Sequence, residues 1–392
     1  FGNRMAKKIS GSEEGLNALL GGNADIEQEH EEGTFTETIH TPLTELLGIK
    51  YPVMLAGMNA VATSELVAAV TNAGGIGTIG GLTMTPKMLQ IEIDEMKKLL
   101  NDKNAPFGVD LAIPQIGGSA RKTNHDYTHG KLDELTDIIV KEKAALFVCA
   151  VGVPPRAMVD KLHAAGIPIM NMVGHPNHVL KALDAGVDMI CAQGGEGGGH
   201  TGEVATSVLL PMCVDACSGR RSPLTGKDII VVGGGGMFDG RSLAAALSLG
   251  ASGVWVGTRF IACEETGAPR RHVEHVLKAS VTDTTKTLIY SGRPLRTFVT
   301  PYVKDFETRP DEIKAYCDKG ILPIRGDYKK HMEAGKPFSK AETVALLMGQ
   351  VAGAVNDTPP AKQIVEQMVS QAIDVLRKNA AHIRPLGMPA PA

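Results

Sequence analysis

The sequence predicts an α/β fold, a (β/α)8 barrel with a C-terminal helical extension, on three observations. From Pro52 onward, short apolar runs alternate with amphipathic segments, the pattern of repeated βα units around a parallel sheet. Eight such runs fall within roughly 210 residues, which suits a closed barrel of ~250 residues better than an open doubly wound sheet. Between the runs one order recurs, helix, then glycine, then strand.

The eight runs begin near Pro52, Gly75, Phe107, Leu146, Pro168, Met189, Ile229 and Gly253. Ser64 is placed to cap the first intervening helix, with Leu66, Ala69, Val70 and Ala73 on one face and Gly74 ending it. Leu162 and Ala165 lead likewise to Gly166, Val179, Ala182 and Leu183 to Gly186, and Leu243, Ala246 and Leu247 to Gly250. After about residue 285 only helical patterns remain, the clearest over 340–355 and 361–379. In the last, Ile364, Val365, Met368, Ala372, Ile373 and Leu376 form one stripe at 3.6-residue spacing. That stripe covers a barrel face or a neighbouring subunit, and the spacing alone does not choose. Residues 1–40 carry the cluster Asp25, Glu27, Glu29, Glu31 and Glu32 without periodicity and read as a flexible acidic arm. The expected division is therefore an arm over 1–40, a barrel over 41–285 and a mainly helical, substrate-covering extension over 286–392.

A chain of 392 residues with 43% hydrophobic content can bury a large core. A formal net charge of -3, with no basic run interleaved with aromatics, argues against nucleic acid as a partner. No stretch of 18 apolar residues occurs, so no membrane span is expected. Cys149, Cys191, Cys213, Cys217, Cys263 and Cys317 are scattered without a Cys-x-x-Cys pair, which suits buried free thiols in a reducing compartment. Phe1 at the start implies trimming or removal of a leader, and Arg4, Lys7 and Lys8 are faint targeting features. The expected location is intracellular, either cytoplasm or an organellar matrix, mitochondrial included.

In barrels of this kind the reacting groups project from the loops that follow the strands. After the first run comes Ala56-Gly57-Met58-Asn59, whose glycine would let a flat ligand approach the backbone. After the seventh comes Gly233-Gly234-Gly235-Gly236 with Asp239 heading a helix, and after the eighth Gly257-Thr258-Arg259. Loops in these two places form the usual phosphate site of a barrel, through bare backbone N–H groups and a helix N-terminus. Arg259 serves either the phosphate or a structural ion pair. The loop after the sixth run, Gln193 to His200, holds glycine at 194, 195, 197, 198 and 199, which suggests that something comes close to its backbone. His200 at its end is the candidate proton acceptor, an imidazole titrating near ~6.5 unless perturbed. His175 and His178 are competitors better suited to capping, and His125, with Arg121, Lys122 and Tyr127, suits a lid. Tyr290, Phe298, Tyr302 and Phe306 are candidate pocket walls. No metal site is expected: Glu196 and His200 share no helix face, and no third ligand is apparent.

These residues carry a resemblance. Tyr51–Asn59, Pro106–Pro114, Arg121-Lys122-Thr123-Asn124, Gln193–Gly202, 220–226, Val231–Phe260, Thr287–Tyr302 and Met348–Val355 are similar to the nitronate monooxygenase family. That family was formerly called 2-nitropropane dioxygenases; the likeness is to its fungal-type branch and spans about 41–380. The superfamily also holds flavin-dependent enoyl reductases. The resemblance implies a TIM barrel binding FMN, with His200 catalytic. It places the cofactor against Ala56, Gly57, Met58, Asn59, Asp110, Gln193, Gly198, Gly199, Gly234, Gly235, Gly236, Gly257 and Thr258. Two departures stand out. The common Ala-Pro-Met of the first loop is Ala56-Gly57-Met58 here, and the usual Glu-Ala-Gly-Gly-His is Glu196-Gly197-Gly198-Gly199-His200.

The activity this implies is oxidation of alkyl nitronates or nitroalkanes with O2 to carbonyl compounds and nitrite. One alternative is an FMN-dependent NAD(P)H enoyl-thioester reductase; another is a non-catalytic flavin-fold subunit. The expected partners are a small-molecule substrate and O2, with a homo-oligomer or larger assembly through the N-terminal arm left open.

Overall fold

A computed structural model describes residues 37–383. The acidic arm expected over 1–40 lies, as far as residue 36, outside the described residues. From Thr38 the chain forms one compact unit.

All eight expected strands are present: β1 (Val53–Leu55), β2 (Gly77–Gly80), β3 (Phe107–Ala112), β4 (Leu146–Ala150), β5 (Ile169–Val173), β6 (Met189–Gln193), β8 (Ile230–Gly234) and β9 (Val254–Val256). They pair in parallel in the order β1-β9-β8-β6-β5-β4-β3-β2. Ile76, just before β2, closes the circle onto β1: its N–H donates to the Val53 carbonyl at 3.1 Å and its own carbonyl accepts from Leu55 at 2.9 Å. Closure leaves no free sheet edge, which explains why the strands are apolar on both faces. Met54, Ile76, Leu146, Val148, Met170, Met189, Cys191, Ile230, Val232 and Trp255 fill the lumen. The lumen is plugged below by α1 (Pro42–Leu47), where Thr41 and Thr44 make a reciprocal capping box and Gly48 turns the chain left-handed at φ 64. Leu43 and Leu47 of α1 pack on the lumen side chains, and Thr41 ties α1 to the Ser252 carbonyl at 2.7 Å.

Helices alternate with the strands: α2 (Ser64–Asn72), α3 (Pro86–Leu99), α4 (Leu132–Lys141), α5 (Arg156–Ala164), α6 (Asn177–Ala185), α7 (Thr206–Cys217) and α8 (Gly240–Ser248). The cap of α2 is Thr63, with Ser64 one position inside; Gly74 ends the segment at φ +96 as its sequence position implies. Asp239 caps α8 by accepting from Ser242 N–H at 2.9 Å.

These are seven helices for eight strands. After β9 the chain makes only the short α9 (Thr258–Ile261) and then α10 (Arg270–Lys278) before leaving the barrel wall. The eighth position is filled from the far end of the sequence by α15 (Ala361–Ala381), which packs between α8 and α2. Ile364, Val365, Met368 and Ala372 are buried there, so the stripe serves the barrel's own outer layer. Gly240 makes the approach possible, since a Cβ on it would stand 2.3 Å from Gln371 Cβ and 2.5 Å from Ala372 N.

The expectation of helices alone after residue 285 needs correction. β10 (Thr284–Thr287) and β11 (Leu295–Phe298) are antiparallel, and β11 pairs with β7 (Gly199–His200), the end of the sixth-strand loop. α11 (Pro301–Phe306), α12 (Pro310–Asp318) and α13 (Pro323–Glu333) follow around a small core of Ile289, Val303, Phe306 and Ile313. The single helix expected over 340–355 is instead α14 (Lys340–Thr343), an extended stretch and a 3-10 turn at Gln350–Ala354, because Val344 to Gly349 runs over the barrel mouth. All six cysteines are free, and all but the half-buried Cys317 are buried.

Candidate functional site

A cavity of about 1240 Å³ opens over the C-terminal ends of the strands. Of the sequence-predicted residues, Ala56, Gly57, Met58, Asn59, Asp110, Gln193, Gly198, Gly199, His200, Gly235, Gly236, Gly257 and Thr258 line it. Gly234 does not; it ends β8 with its carbonyl accepting from Gly194 N–H (3.0 Å) and Thr206 Oγ (3.2 Å). A run of four glycines carries no mark of where the strand stops.

The floor is polar where the lumen below is apolar. Asp110 on β3 is buried, its Oδ1 has no hydrogen-bond partner, and burial pushes its carboxyl up to about 8. Gly57 lies against it: a Cβ there would be 2.4 Å from Asp110 Cβ. Asn171 on β5 also lines the cavity with a buried Oδ1 that lacks a partner. Buried acceptors left unpaired are costly, so two at one floor mark a place built for a donor-bearing ligand. On the wall above β8, Gly235 and Gly236 take consecutive left-handed conformations, φ +79 and +73, open to residues without a side chain. Beside them Thr258 Oγ accepts from Gly349 N–H at 2.9 Å and keeps its own proton to donate. Arg259 is resolved as structural: it is buried and pairs with Asp357 at 2.7 Å.

In the sixth-strand loop Gly194, Gly195, Gly197 and Gly198 stand against the protein's own atoms, whereas Gly199 has nothing nearer than Leu347 Cδ1 at 4.0 Å and lines the cavity. A Cβ on Gly194 would meet Thr206 Oγ at 2.0 Å, one on Gly198 the Met348 carbonyl carbon at 2.7 Å, and one on Gly202 the Gly174 carbonyl at 2.1 Å. The loop is packed flat between the start of α7 and the extended stretch of the cover at Met348 and Gly349. Glu196 accepts from Thr206 N–H at the head of α7, and the buried Arg296 on β11 donates twice to the Gly195 carbonyl, at 3.0 and 2.8 Å. Gln193 Nε2 donates to the His200 carbonyl at 2.8 Å. Everything in this loop fixes where His200 stands.

His200 Nε2 lies 2.9 Å from Ser291 Oγ, which lies 3.3 Å from the Arg293 carbonyl. Burial, and then the Arg293 guanidinium, push the imidazole down to about 4, so it is uncharged at neutral pH. Ser291 and Arg293 were missed from sequence because they join the site only through the β11–β7 pairing, across 91 residues. Of the expected lid, Arg121 lines the cavity, with the neighbouring Asn124, whereas Lys122, His125 and Tyr127 do not; His175 and His178 line it too, and His175 Nδ1 accepts from Asn177 N–H at the start of α6 at 3.1 Å. Tyr290, Phe298, Tyr302 and Phe306 do not line it: Tyr290, Tyr302 and Phe306 belong to the small core, and Phe298 stacks edge-on with His275.

A parallel barrel with a neutral histidine and glycine loops at the strand ends defines a (β/α)8-barrel enzyme. Residues 40–371 match the family model for nitronate monooxygenase, and the chain belongs to that family of oxidoreductases. It is 32% identical over 380 residues, 88% of this chain and 99% of the relative, to a (3aS,4S,5R,7aS)-5-hydroxy-7a-methyl-1-oxo-octahydro-1H-indene-4-carboxyl-CoA dehydrogenase of Mycobacterium tuberculosis. A Staphylococcus saprophyticus protein named "Probable nitronate monooxygenase" is 28% identical, with 87% and 99% covered. Among solved structures, FabK of Thermotoga maritima superposes with a TM-score of 0.72 at 29% identity, covering 88% of this chain and 100% of that one. Nitroalkane oxidase of Streptomyces ansochromogenes gives 0.70 at 26% identity, covering 86% and 99%. Among the described residues no helix is long and apolar enough to cross a membrane.

Proposed function

We propose that this protein is an FMN-dependent oxidoreductase that uses O2 to convert alkyl nitronates, or the parent nitroalkanes, to carbonyl compounds and nitrite, with His200 as the base. The observation that carries the proposal is an uncharged His200 at the cavity mouth, fixed through Ser291 and facing a floor with two unpaired polar groups. The residues present fit FMN. Asp110 and Asn171 offer hydrogen-bond partners to a polar ring edge, Gly57 and Met58 leave room for a flat face, and Gly235, Gly236 and Thr258 suit a phosphate. When bound, flavin supplies the electron-transfer chemistry that side chains lack.

The chain's own residues move the proton. With Nε2–H donating to Ser291 Oγ, and the serine proton directed at the Arg293 carbonyl, Nδ1 keeps the free lone pair and takes the proton α to the nitro group. Arg293 then stabilises the negative charge that develops on the nitronate oxygens. A pre-formed nitronate bypasses this step. His200→Asn is therefore expected to keep bound flavin and to lose turnover of neutral nitroalkane by about 100-fold or more, with little loss on nitronate. Equal loss on both substrates, in an enzyme of unchanged flavin content, would remove the base role.

The second reading, an NAD(P)H-dependent enoyl-thioester reductase, is favoured by the likeness to FabK and to a carboxyl-CoA dehydrogenase.

A further inference from the structure

The loop that leaves β4 turns left-handed at a valine. Val151 has φ +63, whereas Gly152 beside it does not take that conformation. For a branched side chain the conformation is sterically costly, while glycine adopts it freely, as Gly166, Gly186 and Gly250 do just past their helices. The neighbouring residues explain why the turn falls on the valine. Ala150 is held by the Ile113 N–H, which donates to its carbonyl at 2.9 Å. Gly152 serves a close approach instead: a Cβ on it would lie 2.0 Å from the Ile113 carbonyl oxygen. Downstream, Pro154 disfavours helical backbone at Val153, and the rings of Pro154 and Pro155 fix their own φ up to the start of α5. The change of direction is left to Val151.

Val151 also lines the cavity. Among the described residues, the other positive-φ positions outside glycine do not combine a branched side chain with the cavity wall: Ala60 lines the cavity but is small, and Thr83, His129 and Lys143 do not line it. Strand register sets the place of Val151. β4 runs between β3 and β5, with Val148 paired to Asp110 and Cys149 to Asn171, the two floor residues whose Oδ1 lacks a partner. Ala150 pairs with Ala112 in the last rung, so Val151 is the next residue above that floor. β6, whose loop carries His200, lies on the far side of β5. A ligand reaching from the floor to His200 therefore has Val151 on its β4 side. Valine has few rotamers, and here the backbone on either side is pinned, so the side chain forms a rigid piece of wall. Strain retained at a cavity, where glycine would remove it, points to a use for the side chain.

We infer that Val151 is a specificity-determining residue, a fixed apolar wall that limits bulk beside the carbon from which His200 takes the proton and so favours a straight-chain substrate over one branched at that carbon. This rests on the reading of His200 as the base. Selection acts through a clash with the extra carbon, which a wall that cannot yield does not accommodate.

The test uses the flavin-loaded wild type, Val151→Gly, and Val151→Thr, which keeps the branch and the size. Turnover of 1-nitrobutane is compared with turnover of 2-nitrobutane, each as nitroalkane and as nitronate. Separately, 2-methyl-2-nitropropane, which has no proton on its nitro carbon and so cannot be deprotonated there, is titrated against the flavin absorption band. Val151→Gly is expected to raise kcat/KM for 2-nitrobutane relative to 1-nitrobutane by about 10-fold or more, and to tighten the Kd of 2-methyl-2-nitropropane by a similar factor. Val151→Thr is expected to keep both wild-type values. The melting temperature of Val151→Gly should hold or rise, since release of the strained conformation offsets loss of the side chain. A clear fall would mark Val151 as a packing residue and count against the inference. If no nitro compound is consumed but Val151→Gly still binds 2-methyl-2-nitropropane more tightly, the nitronate reading fails and the wall stands. A band shift no stronger in Val151→Gly than in the wild type, with an unchanged ratio between the two substrates or with no turnover of either, overturns the inference.

Discussion

His200 shows how burial and one neighbouring charge set a residue's chemistry. An imidazole pushed down to about 4 stays unprotonated across the neutral range. Because protonation inactivates the base, kcat/KM for neutral nitroalkane should be level from pH 7 to 5 and fall only as the pH approaches 4, in place of a limb near ~6.5. The sign carries to stability. A histidine with a lower pKa folded than unfolded costs stability as the pH drops below ~6.5, and progressively down to about 4. A steady-state pH profile of kcat/KM checks the first; a kinetic limb at 6 to 7 that disappears in His200→Asn would contradict it. Ser291→Ala removes the group that directs Nε2, so turnover of neutral nitroalkane should fall about 10-fold while nitronate turnover holds. The imidazole itself was legible in the sequence, as the one titratable ring in a glycine loop. Ser291 and Arg293 were not, since local pattern says nothing of a strand pairing 91 residues away.

At the scale of elements, the glycines divide by what stands beside them. Gly57 borders the cavity floor: Gly57→Ala drives a Cβ into Asp110 and should lower flavin content of the purified protein, read by the ratio of visible to ultraviolet absorbance. Gly240 borders a helix: Gly240→Ala sets a Cβ against the backbone of α15 and should cost about 1–3 kcal/mol in chemical unfolding, as overpacking does. An unchanged unfolding midpoint would mean that α15 does not seat on α8 as described. The eight strands were legible because apolar runs of four to six residues bounded by glycine have few other solutions. The hairpin of β10 and β11 was not. Thr-Thr-Lys-Thr and Leu-Arg-Thr-Phe are too short and too polar to separate from loop, and they hold as strands only because β7 offers an edge. The glycines of the sixth-strand loop suggest that something comes close to the backbone; at Gly194, Gly195, Gly197 and Gly198 protein atoms do, while Gly199 lines the cavity with nothing nearer than 4.0 Å. A glycine reports that something is close, and sequence does not say what.

Across the whole molecule, α15 completes the outer layer of helices around a barrel that Ile76 closes. The stripe on 361–379 is legible from its spacing, but which surface it covers depends on the position left unfilled after β9, a property of the whole topology. The same return path carries Val344–Gly349 over the strand ends. The proposed oxidation of a nitronate by O2, for which bound flavin would supply the electron-transfer chemistry, is tested by anaerobic titration of the flavin spectrum with ethyl nitronate and with NADPH in separate cells. The expected result is loss of the oxidised flavin band, or a one-electron spectrum, on adding nitronate, no change with NADPH, and return of the oxidised band when air is admitted. Prompt bleaching by NADPH with no response to nitronate would contradict it and assign the site to thioester reduction.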